Sequence, residues 1–75
     1  MDFRSYILEN KFKITIFENK INIINYLEID AFDENKIVVR YKEGVVVISG
    51  YNLTISKLLD DELLISGEIL KVEFR

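Results

Sequence analysis

The chain has 75 residues, a formal net charge of −3 and 49% hydrophobic residues, which suffices for one small domain with its own core. This acidic balance disfavours nucleic-acid phosphates and anionic membrane surfaces as partners. The sequence has no Cys and no His, which excludes disulfides and thiolate zinc sites and removes the commonest general base. We therefore expect one domain over residues 1–75, with no catalytic residue, no cofactor and no metal.

The first ten residues are the hardest part to assign, and we predict an irregular segment there. They lack the basic-then-apolar order of a signal peptide. The longest apolar run, Val45–Ile48, is far too short to span a membrane. These features lead us to expect a cytoplasmic protein with no membrane span.

The first half of the chain alternates apolar and polar residues with the period of a β-strand. This pattern predicts strands over Phe12–Phe17 and Ile21–Ile24, which the polar turn Glu18–Lys20 separates. A third strand is predicted over Tyr26–Phe32, preceded at Asn25 by a bulge rather than a turn. The side chains predicted to share one face of this third strand are Leu27, Ile29 and Ala31.

The middle of the chain contains the clearest strand signals. A turn at Asp33–Asn35 precedes Lys36–Lys42, in which apolar and polar residues alternate regularly. Lys42–Gly44 then has the pattern of a three-residue hairpin loop, with Gly44 in the left-handed region. The β-branched run Val45–Ile48 predicts a central strand that is buried on both faces.

Three further strands are predicted in the last third of the chain. Polar turns are expected at Gly50–Asn52 and at Asp60–Glu62. Past Gly67 the apolar phase shifts, which is typical of a β-bulge or a sharp bend. The predicted strands are Leu53–Ile55, Leu63–Ser66 and Leu70–Phe74.

The tripeptide Ile-Ser-Gly occurs twice, ending at Gly50 and at Gly67. Glycine weakens a strand, so its use at both places indicates a backbone requirement, and a bend there would let one long strand cross between two packed sheets. The count of about seven or eight short strands predicts an all-β fold, either a small antiparallel sandwich or a barrel-like domain. A β-solenoid is the minority alternative, because a solenoid needs about three or more repeats.

Few residues have the pattern of a chemical site. The acidic cluster Asp60–Glu62 lacks the ligand number of a Ca²⁺ site, and we expect a solvated turn. Without His, a serine nucleophile would need Lys as its base, and we expect ordinary strand residues instead. The carboxylate pairs and serines considered are Glu28 with Asp30, Glu68 with Glu73, Ser49, Ser56 and Ser66.

A stacking platform for single-stranded nucleic acid is the alternative function that the residues leave open. Acidic residues are interleaved with its members and would repel a phosphate backbone. The sequon at Asn52–Thr54 matters only in a secreted protein, and we interpret it as a chance match. The platform residues are Tyr26, Tyr41, Tyr51, Lys20, Arg40 and Lys42.

From Lys13 to Phe74 the sequence resembles the YabP/YqfC family of sporulation proteins of endospore-forming Firmicutes. The resemblance lies in a Gly, an aliphatic strand, Ile-x-Gly and a following Leu-x-Ile, and in a second Ile-x-Gly-x-Ile. The connection Leu58–Leu64 is more similar to the YqfC branch. The matching positions are Phe32–Glu34, Gly44, Val45–Val47, Ile48–Gly50, Leu53, Ile55, Ile65–Ile69 and Val72–Phe74.

The resemblance implies a non-enzymatic structural or scaffolding role in spore formation. It implies action in the mother cell, in coat or envelope morphogenesis and in association with the developing spore, through contacts with other sporulation proteins. Because the family transfers no catalytic residue, what it implies for individual positions is limited to the structural glycines Gly44, Gly50 and Gly67.

Size and apolar content together predict self-association, as a homodimer. A core of this size offsets little more than the entropy of ordering 75 residues. Several predicted strands carry apolar residues on both faces, and outer strands leave backbone groups unpaired. Phe17 and Phe74 are the predicted interface residues.

Overall fold

The computed structural model describes residues 11–75, which form one antiparallel sheet of six strands in the order β1-β2-β6-β5-β4-β3. The predicted all-β fold is confirmed, although the described residues hold fewer strands than the seven or eight expected. The irregular segment predicted over residues 2–10 lies outside the described part. The strands are β1 Lys13–Ile16, β2 Lys20–Ile24, β3 Glu28–Asp33, β4 Lys36–Tyr41, β5 Gly44–Leu58 and β6 Glu62–Phe74.

The strand count is lower because two pairs of predicted strands are continuous. Strand β5 runs for 15 residues through Gly50–Asn52, where a turn was expected. Strand β6 runs for 13 residues through Gly67. At both places the register between the two strands shifts but the pairing resumes, so the glycine and Asn signals mark bulges rather than strand ends.

The two long strands divide the sheet into two layers of four strands. Layer A contains β3, β4, the first half of β5 and the second half of β6. Layer B contains β1, β2, the first half of β6 and the second half of β5. The ring of Phe12, just before β1, stacks on Tyr41 at the end of β4 with centroids 4.1 Å apart, so the two layers fold onto each other as a small sandwich.

The bend between the layers lies where two glycines bring backbones close together. A Cβ atom on Gly50 would collide with the carbonyl of Glu68. Gly67 has a φ of 137°, and a Cβ there would lie 2.7 Å from the carbonyl oxygen of Asn52. No residue with a side chain fits either position without moving the backbone. The predicted crossing of a long strand between two packed layers is therefore present.

The two layers repeat the same arrangement around this bend. The N–H of Gly50 donates to the carbonyl of Asn35 in the β3–β4 turn, at 3.1 Å. The N–H of Gly67 donates to the carbonyl of Asn19 in the β1–β2 turn, also at 3.1 Å. Each Asn lies in the sequence Glu-Asn-Lys, ending at Lys20 and at Lys36. The repeated Ile-Ser-Gly thus belongs to a twofold internal repeat and not to a solenoid.

The core lies between the two layers and is wholly aliphatic among the described residues. Both layers contribute to it, and its side chains are 0–1% exposed. The predicted central strand is confirmed, because Val47 is 7% exposed and Ile48 is fully buried. The core residues are Ile21, Ile23, Ile37, Val39, Val46, Ile48, Leu53, Leu63 and Ile65.

Strand β3 differs from its predicted face pattern. The register shifts between Ile29 and Ala31, because Asp30 is an extra, bulged residue. Ile29 pairs with buried Val39, whereas Ala31 pairs with Val38 and is exposed. The prediction that Leu27, Ile29 and Ala31 share one face was therefore wrong, since a bulge reverses the faces beyond it.

Three smaller differences have equally local causes. Asn25 has a φ of 65° in the connection between β2 and β3, so it is a turn residue rather than a bulge. Tyr41 pairs with Gly44, which makes the β4–β5 loop two residues long and Gly44 the first residue of β5. Leu70 is 57% exposed because it is bulged out of β6 opposite Ser49 and Gly50, out of line with Val72 and Phe74.

The substitution Ile48→Asp is expected to abolish folding. A carboxylate at this fully buried position would have no partner, and its desolvation costs several kcal/mol against a total stability of about 5–15 kcal/mol. Ile48→Val, which removes one methyl group, is expected to cost about 1 kcal/mol. Thermal melting followed by far-UV circular dichroism checks both, and a cooperative melt of Ile48→Asp would contradict the core assignment.

The substitution Gly67→Ala is expected to lower the free energy of unfolding by at least about 2 kcal/mol, because a Cβ meets backbone at a positive φ. Glu68→Ala, at the exposed neighbouring position, is the matched control and should change stability by less than about 0.5 kcal/mol. Urea denaturation measures both values. Equal stabilities for the two variants would show that the bend does not need glycine.

Candidate interaction surface

An open groove of about 630 Å³ lies on the outer face of layer B. Two of its polar side chains bond to each other, since Asn22 Nδ2 donates to Glu62 Oε2 at 3.0 Å. No buried side-chain N or O atom in the described part of the chain lacks a partner. The groove residues are Thr15, Phe17, Glu18, Asn19, Lys20, Asn22, Glu62 and Leu64.

Four of the seven side chains considered for chemistry have partners within the fold. The hydroxyls of Ser56 and Ser66 bond to each other across β5 and β6. Asp30 accepts two hydrogen bonds from Arg40, at 2.9 and 3.1 Å. Glu73 accepts a hydrogen bond from Arg75, and this bond together with the charges of Arg75 and Lys71 lowers the pKa of its carboxyl. These four side chains therefore help to hold neighbouring parts of the fold together.

The acidic cluster Asp60–Glu62 lies at the tight turn between β5 and β6. Its backbone supports the fold, because the carbonyl of Asp61 accepts the N–H of Asn25 at 2.6 Å. Within residues 11–75 no group of three or more His, Cys, Asp or Glu side chains could hold a metal ion.

The tyrosines of the proposed stacking platform lie in three different environments. The hydroxyl of Tyr26 donates to the carbonyl of Leu59 at 2.7 Å. The ring of Tyr41 is covered by Phe12. Tyr51 pairs with Glu68 at the bend, the opposite end from Tyr41, and is 52% exposed. Stacking of successive bases needs exposed rings along one path, and these three rings do not form one.

Large apolar side chains are exposed at both ends of the sandwich. At the bend end they flank the two hairpin turns and the bulges of β5 and β6. At the opposite end they flank the β5–β6 turn, the β2–β3 connection and the last residues of β6. The bend-end group is Ile16, Phe17, Phe32, Tyr51 and Leu70, and the opposite group is Leu27, Leu58, Leu59 and Phe74, all 48–63% exposed.

The two predicted interface residues belong to different ends. Phe17 follows β1 at the bend end and lines the groove of layer B. Phe74 is 51% exposed and packs edge-on against Phe12 and Tyr41, with centroids 6.4 Å away in both cases. Phe74 therefore helps to hold the layers together as well as facing solvent.

Sequence reasoning placed Ile16, Leu27 and Leu70 in line with core-facing residues of their strands, whereas it put Phe32 on the wetter face of the third strand. Leu70 is exposed through the bulge of β6, and Ile16 through its place on an outermost strand. The available signal was their position beside turn residues and glycines, where alternation fails.

Comparison with known protein families gives a match. The family model described as the YabP family matches residues 8–75, nearly the whole chain. No curated protein sequence matches. No helix in the described residues is long and apolar enough to cross a membrane.

Tyr26→Phe is expected to cost about 0.5–1 kcal/mol near neutral pH, through the lost hydrogen bond to Leu59. Burial, together with the charges of Asp60 and Asp61, raises the pKa of Tyr26 above 10.0. The unfolded chain therefore ionises first, so this contribution is present below about pH 10 and is lost as pH rises from there through the folded-state pKa.

Urea denaturation of the wild type and Tyr26→Phe between about pH 7 and 11 checks this, and the stability difference should narrow above about pH 10. Tyr51→Phe, at the exposed opposite end, is the matched control. A stability difference between the wild type and Tyr26→Phe that stays constant from about pH 7 to 11 would contradict the raised pKa of Tyr26.

Proposed function

Because the chain belongs to the YabP family, we propose that it is a non-enzymatic sporulation protein that acts through protein–protein contacts as a structural or scaffolding module. The family assignment makes it sporulation-related. The proposal adds its place: the mother cell of an endospore-forming Firmicute, in the cytoplasm and at the developing spore, during coat or envelope morphogenesis. The YqfC-like branch stays a prediction.

The observation that supports a contact role is the exposure of nine large apolar side chains among the described residues, which lie in groups at the two ends of the sandwich. Scattered apolar residues are normal on a protein surface, but groups at defined ends of a small domain are typical of interaction sites. Ligand pockets bury most of a small molecule, and an open groove in which Asn22 and Glu62 already bond to each other does not favour that use.

Self-association is the simplest such contact. An isologous dimer uses the same patch on both copies. Phe17 and Phe74 lie at opposite ends of the sandwich, so one compact isologous patch does not include both. Two separate surfaces on one small domain instead favour contacts that join different patches, with a second copy or with other sporulation proteins.

Deletion of the gene is expected to leave vegetative growth unchanged and to lower the yield of heat-resistant spores. Heat-resistant colony counts and electron microscopy of the spore layers measure the effect. A copy of the wild-type gene at another locus should restore the yield, and a copy carrying Ile48→Asp should not. Normal yield and normal spore layers in the deletion strain would contradict the proposal.

A further inference from the structure

The two outermost strands of the sheet, β1 and β3, each have one side without a neighbouring strand among the described residues. In β1 the N–H of Phe17 donates to the carbonyl of Lys20 in β2. Because pairing alternates along an antiparallel strand, the backbone groups of Ile14 and Ile16 point away from β2. Such unpaired groups are a template for another strand.

These two strands occupy equivalent places in the two layers but carry opposite charge. Lys13 in β1 corresponds to Glu28 in β3, since each begins the outer strand of its layer. The hairpin over residues 11–24 has three Lys and one Glu, a net charge of +2. The hairpin over residues 28–41 has four acidic and two basic residues, a net charge of −2.

Each of the two outermost strands also has an apolar side chain on its core-facing side that is left partly open to solvent, and the two side chains occupy equivalent positions. Ile16 is 55% exposed although its partner Ile21 is fully buried. Phe32 is 53% exposed although its partner Ile37 is fully buried. A further strand at either side would cover these residues, because neighbouring strands place side chains of one face about 5 Å apart.

The other two open sides of the layers are less suited to pairing. The second half of β5 is interrupted by the extra residue Ser56, and the second half of β6 by Leu70. Bulges on open strands block strand addition, and those of β5 and β6 lie within the segments that would have to pair. Strand β3 has a bulge too, but Ala31–Asp33 beyond it is regularly paired with β4.

We propose that β1 of one copy pairs along its edge with β3 of the next copy, so that the protein forms open, head-to-tail chains. This inference deepens the proposed scaffolding function and rests on it by naming the partner as a second copy. Pairing β1 with β1, or β3 with β3, brings hairpins of like charge together, whereas pairing β1 with β3 brings the +2 hairpin over residues 11–24 against the −2 hairpin over residues 28–41. A heterologous contact of this kind leaves a free strand at each end, and assembly continues.

The contact is short and its charges are exposed, so it is weak and depends on salt. Strand β1 has four residues, and exposed charge pairs are screened within about 10 Å at 0.1 M salt. We expect the weight-average mass to rise with concentration beyond twice 8.8 kDa at about 20 mM salt. At about 0.5 M salt it should return towards the mass of one chain.

Two charge reversals block one strand each. Lys13→Glu blocks β1, and Glu28→Lys blocks β3, so each variant alone should remain near 8.8 kDa in light scattering at low salt. Mixed in equal amounts, the two variants again bring opposite charges together at the β1–β3 contacts between them, so the mixture should regain a mass of at least two chains. Lys42→Glu and Glu43→Lys, in the exposed β4–β5 loop, are the matched controls and should assemble like the wild type.

The outcomes separate the alternatives. A wild type that stays at one chain mass at low salt overturns the proposal, as does a mixture that gives no heterodimer. Assembly of Glu28→Lys together with loss of assembly in Lys13→Glu would indicate a β1–β1 dimer, and this result overturns the proposal too.

Far-UV circular dichroism of each variant checks that it folds. If a charge reversal unfolds the protein, the pair Lys13→Gln and Glu28→Gln repeats the test. Failure here leaves the spore phenotype of the deletion strain unaffected, so the two proposals fail separately.

Discussion

The bend that β5 and β6 make together is the constraint on which the rest of this fold depends. One long two-stranded ribbon supplies the centre of both layers, so the core can close only if the ribbon turns back on itself. Gly50 and Gly67 allow this because backbone lies where their side chains would be. The turns at Asn19 and Asn35 then hydrogen-bond to these glycines and fix where each hairpin lies. Each aliphatic side chain buried between the layers stabilises the fold by about 1.5–3 kcal/mol, and a ribbon that did not bend would leave these side chains exposed.

The same bend makes the molecule a twofold repeat in backbone but not in surface chemistry. Equivalent outer strands begin with Lys13 in one layer and Glu28 in the other, and their hairpins have opposite net charge. Core positions have little freedom, because both layers must fill the same interior. Exposed positions are free to differ, and here the two hairpins differ in the sign of their net charge. A nearly symmetric domain with unlike outer strands is suited to contacts that repeat along one direction.

Several polar side chains on the surface are held in pairs within the fold, such as Ser56 with Ser66 and Asp30 with Arg40. Tyr26 and Asn25 likewise bond to the backbone of the β5–β6 turn and hold the far end of the sandwich closed. Membership of the YabP family makes the domain sporulation-related.

The sequence by itself determined the all-β class, the buried Val45–Ile48 strand and the need for glycine at the two Ile-Ser-Gly sites, because alternation and backbone sterics act locally. It also carried the family assignment. Only the tertiary structure decided that β5 and β6 run through those glycines, because continued pairing across a bulge depends on a partner strand that is distant in sequence. For the same reason the exposure of Ala31 and Leu70 could not be read from alternation, since one bulged residue reverses every face beyond it. The opposite charges of β1 and β3 were present in the sequence from the start, but their meaning depends on strand order, which places these two strands at opposite sides of one sheet.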